Sequence, residues 1–118
     1  MRAAVFATSR YEREAKRLLT QVEMETMEAS IAADPEAHPV VPGTGGVRKA
    51  RWSRQARGKR GGVRLIYYYW MSDNEVYMLY LYAKSEQADM DAGGRKEALR
   101  FVEALKRGKE NKRGQGRP

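Results

Sequence analysis

The sequence predicts an α+β fold: a helical hairpin packed on a small curved antiparallel sheet of about four strands, with a C-terminal helix. Three observations lead there. Residues 9–33 carry two helix-start signatures and an apolar stripe, and residues 47–84 hold three strand-like segments separated by polar turns. Residues 91–105 carry a last apolar stripe at helical spacing.

Taken in order, "AAVFA" (3–7) is a short apolar run that reads as a first strand. "SRYE" follows as a capping box, with Ser9 as N-cap and Glu12 three residues on. Tyr11, Ala15, Leu18, Leu19 and Val22 then fall on one face of a helix. "TQVE" repeats the box at Thr20 and Glu23, so the helix breaks there and restarts toward Ile31. Pro35 disfavours helix at Asp34 and Pro39 blocks a restart, which closes the hairpin. "VVPGTGG" (40–46) is a loop leading to a strand, and its "GTGG" (43–46) reads as a turn, since it lacks the spacing of a phosphate-cradling loop and precedes a strand where such a loop needs a helix. Strands are expected at 47–53, 63–71 and 75–84. The three-residue turn "SDN" makes the last two antiparallel. Asp91 caps a final helix whose Ala98, Phe101, Val102 and Leu105 form one stripe. Residues 1–106 are expected to form one domain. Residues 107–118, polar, Gly-rich and basic, read as a disordered tail.

A chain of 118 residues buries roughly two-thirds of its unfolded surface, enough for one core. It has no cysteine, so a disulfide framework, a zinc–thiolate site and a thiol nucleophile are excluded and a cytoplasmic setting is expected. No apolar run approaches the roughly 18 residues of a membrane span. The net charge of +8 is unevenly spread. Residues 1–42 carry five Lys/Arg against seven Asp/Glu, and residues 67–106 repeat that balance. Residues 43–66 carry eight cations and no anion, and the tail from 107 carries five against one. Positive charge concentrated in this way is the footprint of a nucleic-acid binder.

Within the basic segment, "VRKARW" alternates, so Lys49 and Arg51 are neighbours on one face, roughly 6–7 Å apart along the strand. Like charges so placed repel, and an anion across that face gives a reason to keep them. Arg64 stands inside the apolar-aromatic strand "VRLIYYYW", and Lys84 arrives where the last strand leaves the sheet. Each of the four alone has an ordinary account as a solvated surface cation. Four in three consecutive strands predict a converging cationic cleft. The loop from Arg54 to Arg60, with Arg57 and Lys59, and the neighbouring Arg48 read as sequence-blind contacts to RNA or ribosome phosphates. The tyrosines from 67 to 82 are core or sheet surface, with one or two able to stack on bases. His38 lies alone between prolines and no metal site is expected.

"GTGGVRKARW", "GKRGGVRLIYYYW" and "LYLYAKSEQADM", in this order after a helical hairpin, resemble the RelE/ParE superfamily of bacterial toxins. They are most similar to the HigB branch of RelE-type mRNA interferases, and the likeness runs from residue 3 to about 106. The resemblance implies a RelE-like fold and the toxin of a type II toxin–antitoxin system. Its activity would be ribosome-dependent mRNA endonuclease cleavage that inhibits translation. Implied partners are the ribosome, mRNA and a cognate antitoxin of helix-turn-helix type. Operator DNA would be reached only through that antitoxin, with no membrane and no cofactor involved. It places Lys49 and Arg51 at the two basic positions of the first strand, Arg64 at the transition-state arginine and Lys84 at the strand exit. Two departures stand out. A lysine proposed as general base in RelE is Arg51 here, and the arginine after the strand exit is Ser85, while the later tyrosine has no counterpart.

RNA brings its own nucleophile, the 2′-hydroxyl, so the enzyme must supply a proton acceptor, a proton donor and charge neutralisation at the phosphate. Arginine stays protonated, which confines Arg51 and Arg64 to charge stabilisation and leaves proton work to Lys49 and Lys84. A lysine crowded by cations is expected to shift downward toward a useful pKa. Two other functions fit the same chain: a ParE-type gyrase inhibitor that cuts no RNA, and a non-catalytic RNA-binding module. The cation cluster favours the endonuclease, because gyrase inhibition needs no such cleft.

Overall fold

The computed structural model describes residues 1–54 and 61–115. Its elements are β1 (Ala4–Ala7), α1 (Ser9–Leu18), α2 (Gln21–Ala33), β2 (Arg48–Ser53), β3 (Gly62–Trp70), β4 (Glu75–Ala83) and α3 (Ala92–Gln115). A single 3₁₀ turn, Met71–Asp73, joins β3 to β4, with Asn74 in the left-handed region at φ 54°. The four strands form one sheet in the order β1-β4-β3-β2. β2, β3 and β4 are antiparallel as expected, while β1 pairs with β4 in parallel and makes the sheet mixed.

Both faces of the sheet are covered. Leu65, Tyr67, Val76 and Met78 pack on one side against Tyr11, Leu18, Met27 and Ile31 of the helical hairpin. Ile66, Tyr68, Tyr80 and Tyr82 pack on the other side with Val41, Met90 and the Ala98–Val102 stripe of α3. The face that the sequence left for substrate is therefore shared with α3, whose stripe is too apolar to face water.

The hairpin breaks at the Thr20 capping box as expected, while the start of its first helix differs by one residue. Thr20 accepts from the Glu23 amide at 3.1 Å and the Glu23 carboxylate accepts from the Thr20 amide at 2.8 Å, a complete capping box. At the first helix the N-cap is Thr8 rather than Ser9. Its hydroxyl accepts from the Tyr11 amide at 3.1 Å and donates to the Leu79 carbonyl. Ser9 is exposed. The cap falls one residue earlier because Thr8 is still extended (ψ 158°) at the exit of β1, within reach of both groups. The break at Leu19 also resets the helical phase, so Val22, expected on the buried stripe, is 73% exposed.

The turn at 43–46 lies against both β3 and α3, where a Cβ on Gly45 would stand 3.1 Å from Leu99. Buried Thr44 donates to the Val41 carbonyl at 2.7 Å and accepts from the Val47 amide at 3.0 Å. Gly46, at φ 112°, passes so close to the Tyr68 ring that a Cβ there would stand 3.2 Å from it. Both the backbone angle and the approach call for glycine.

β3 and β4 are not in simple register. Ile66 opposes Tyr80 and Tyr67 opposes Met78, which leaves Leu79 as an extra residue on β4, a β-bulge. Below it Tyr77 points to the α3 side; above it Tyr80 and Tyr82 do, with Leu79. The last helix is also longer than expected. Of the segment 107–118, read as a disordered tail, residues 107–115 continue α3, and 116–118 lie outside the described residues. Lys109 anchors it, pairing at 2.5 Å with Asp73 and Glu75 and lying 5.6 Å from the Trp70 ring centroid.

Thr8→Ala is expected to lower unfolding free energy by about 1–2 kcal/mol, because it removes the cap and the bond to Leu79 together. Ser9→Ala should stay within about 0.5 kcal/mol. Urea titrations of the two variants would check the contrast.

Candidate active site

The cationic face assembles from strand pairing. Arg51 on β2 lies opposite Arg64 on β3, and Arg64 lies opposite Tyr82 on β4. The next row along the sheet is Lys49, Ile66 and Tyr80. Directly opposed residues have Cβ atoms roughly 4.5–5.5 Å apart, and like charges so placed destabilise a sheet. The sequence foresaw cations on each strand, and the pairing turns two of them into one facing pair.

The four expected catalytic residues differ in surroundings. Arg64 is only 9% exposed and its guanidinium donates to the Val63 carbonyl at 3.2 Å. It is therefore a buried cation, contrary to the expectation of one exposed on the sheet face. Arg51 is exposed and makes no hydrogen bond or ion pair among the described residues. Lys49 is half-buried and its ammonium meets the Asp89 carboxylate at 2.9 Å. Its charged neighbour is thus an anion, where crowding by cations was expected. Lys84 is exposed just beyond β4, and its amide donates to the Gly62 carbonyl at 3.1 Å, which keeps it beside the start of β3.

Asp89 escaped the sequence reading, which saw in "QADMD" only a chain leaving the sheet. Its carboxylate also accepts from the Met90 amide at 2.7 Å. The Lys49 hydrogen bond and then that amide hold the Asp89 carboxyl below its usual range. A signal existed in the sequence: an acid a few residues past a basic strand exit. Nothing local indicated that it would fold back onto Lys49.

Tyr82, at the end of the Arg51–Arg64 row, is 5% exposed, and its hydroxyl is buried with no hydrogen-bond partner among the described residues. Burial is the first cause that raises its pKa; Asp89 adds to this and Arg64 opposes it. Tyr80 carries the Arg10 guanidinium 4.0 Å from its ring centroid, and burial pushes its hydroxyl up to about 12.

Two residues expected to hold phosphates are engaged elsewhere. Arg48 points away from the Lys49 side and donates to the Glu36 and His38 carbonyls at 3.2 and 2.7 Å, tying down the loop after α2. Alternation along β2 accounts for this, since Arg48 falls in phase with buried Ala50. Arg54 is 6% exposed and its Nε donates to the Gly61 carbonyl at 3.3 Å, joining the two ends of the basic loop. Arg57, Lys59 and Arg60 lie outside the described residues. Among the described residues no three His, Cys, Asp or Glu side chains gather as metal ligands, and no helix is long and apolar enough to cross a membrane.

Residues 3–112 match the family model of the RelE toxin of the RelE/RelB toxin–antitoxin system. The chain belongs to the RelE toxin family. As a member it is a toxin with an antitoxin partner. The fold agrees: a solved structure of Escherichia coli toxin RelE, a mutant form in the free state, is similar with a TM-score of 0.54 and 18% identity. The similarity covers 91% of this chain and 98% of that one.

The Lys49–Asp89 pair of this toxin sets a pH expectation. A carboxyl whose folded pKa is depressed contributes stability above its unfolded pKa, and loses it as pH falls through the folded value. In an NMR titration Asp89 should protonate at lower pH than an ordinary aspartate. Lys49→Met should move it back upward.

Proposed function

We propose that this toxin is a ribosome-dependent mRNA endonuclease, of the HigB type within the RelE family, that arrests translation in the cytoplasm. The observation that carries the reading is the facing pair Arg51–Arg64, with Lys49 one row away. Cross-strand repulsion costs stability, and an RNA phosphate bound across the pair offsets it. In-line attack of the 2′-hydroxyl makes a new P–O bond as the 5′-oxygen leaves, and negative charge grows on the phosphate oxygens. Arg64, fixed by burial and by its bond to the Val63 carbonyl, is suited to meet that charge. Arg51, exposed, holds the phosphate from the β2 side.

Lys49 is committed to Asp89 and fits a phosphate holder that exchanges one anion for another. Lys84, exposed at a strand end able to adjust to substrate, fits the proton-transfer role. Metal-independent catalysis follows, since guanidinium groups supply the charge neutralisation. The cleft is sparse, so the ribosome supplies part of the substrate alignment. A helix-turn-helix antitoxin would complete the system and would be the component that reaches operator DNA.

The deciding experiment incubates purified toxin with programmed ribosomes and labelled mRNA. Cleavage within codons supports the reading. A gyrase supercoiling defect without cleavage replaces it with the ParE-type function.

Arg64→Lys keeps the charge and much of the buried volume but loses the forked donors. It should melt near the wild type and cleave about 10²-fold more slowly or worse. Lys84→Arg keeps charge and removes a usable proton acceptor, so single-turnover cleavage should fall about 10²-fold. Near-normal cleavage by Lys84→Arg, with loss only in Lys84→Ala, would reassign Lys84 to phosphate binding.

A further inference from the structure

Two buried polar atoms on the α3 side of the sheet lack a partner among the described residues, Trp70 Nε1 and the Tyr82 hydroxyl, and of the two residues only Tyr82 stands in the Arg51–Arg64 row. The Tyr82 hydroxyl is buried, unpartnered among the described residues, and stands on the strand position opposite Arg64. A buried hydroxyl without a partner costs the fold its desolvation with no bond in return. Phenylalanine would fill the same space at that position without the cost. Two tyrosines buried on the opposite, hairpin side of the sheet have partners for theirs. Tyr11 donates to Glu28 at 2.7 Å and Tyr67 to the Pro35 carbonyl at 2.7 Å. Tyr82 stands apart from them at the place where the charge pair converges.

We infer that Tyr82 is a further catalytic residue, whose hydroxyl donates a hydrogen bond to a non-bridging oxygen of the scissile phosphate beside Arg64. The inference rests on the RNA-cleavage reading above. A neutral donor suits this position. Arg51 and Arg64 already repel each other, and a third cation would add to the repulsion, whereas a hydroxyl adds a bond with no charge. Burial favours the protonated hydroxyl, so the donor is present at neutral pH. Access to the hydroxyl is opened by the substrate. Asp89 acts on Tyr82 electrostatically and is tethered to Lys49, the cation a phosphate would claim. A phosphate that takes the Lys49 ammonium releases Asp89 and reaches the Arg64–Tyr82 row.

The test compares wild type and Tyr82→Phe on programmed ribosomes under single-turnover conditions, with melting temperatures measured alongside. Expected is a saturated cleavage rate at least about 10-fold lower, a half-saturating ribosome concentration changed much less, and an equal or higher melting temperature. Unchanged cleavage by Tyr82→Phe while wild type cuts would overturn the inference and leave the endonuclease reading standing. A slower rate together with a clearly lower melting temperature would assign the hydroxyl to the fold and likewise overturn it. Absence of cleavage by the wild type would overturn the endonuclease reading itself, and this inference with it.

Discussion

The geometry of this toxin depends on one extra residue in β4. Leu79 has no counterpart on β3, and the strand changes phase there. Without the bulge, alternation from Tyr77 would carry Leu79 and Leu81 to the α3 side and turn Tyr80 and Tyr82 toward the hairpin. With it, Tyr80 and Tyr82 share a face with Arg64. The bulge also exposes backbone groups that β1 and α1 use. The Thr8 amide donates to the Met78 carbonyl at 3.0 Å, and its hydroxyl takes the Leu79 carbonyl while capping α1. One local irregularity thus joins the parallel edge strand, the start of the hairpin and the composition of the candidate site.

The cationic face is built at some cost to the fold, and the chain compensates within itself. Arg64 is nearly enclosed, Arg51 faces it, and of the three only Lys49 has an anionic partner among the described residues. Charge concentrated in a row on a twisted sheet raises the local potential well beyond what scattered surface cations achieve. The segment 84–91 brings Asp89 back onto Lys49, one row from the Arg51–Arg64 pair. Such a contact at an exposed side chain is weak enough to exchange.

α3 shows how composition alone can mislead. From residue 107 the chain has glycines, a run of cations and little apolar side chain, the usual marks of a segment that cannot stabilise itself. As far as Gln115 it is helical because its neighbours supply what it lacks. Phe101 and Leu105 continue the apolar stripe onto the sheet, and Lys109 reaches Asp73 and Glu75 at the β3–β4 turn. The Asp73 and Glu75 hydrogen bonds raise the Lys109 pKa and keep the ammonium charged. Propensity counts only the local chain, whereas a helix docked on a sheet is stabilised mainly by packing.

The sequence alone determined the element order and the α+β class, because apolar periodicity, the Thr20 capping box and Pro35 are local signals. It also determined that Lys49 and Arg51 share a face, since alternation along one strand needs no partner. Only the tertiary structure decided which residues stand opposite them. Register paired Arg51 with Arg64, the bulge at Leu79 delivered Tyr82, and the return of the chain after β4 set Asp89 on Lys49. Arg48 had left the face by alternation alone, while Arg54 is withdrawn by its bond to the Gly61 carbonyl across the ends of the basic loop. The reason is physical: periodicity fixes direction within an element, while contacts between elements depend on register and packing that no single stretch of sequence contains.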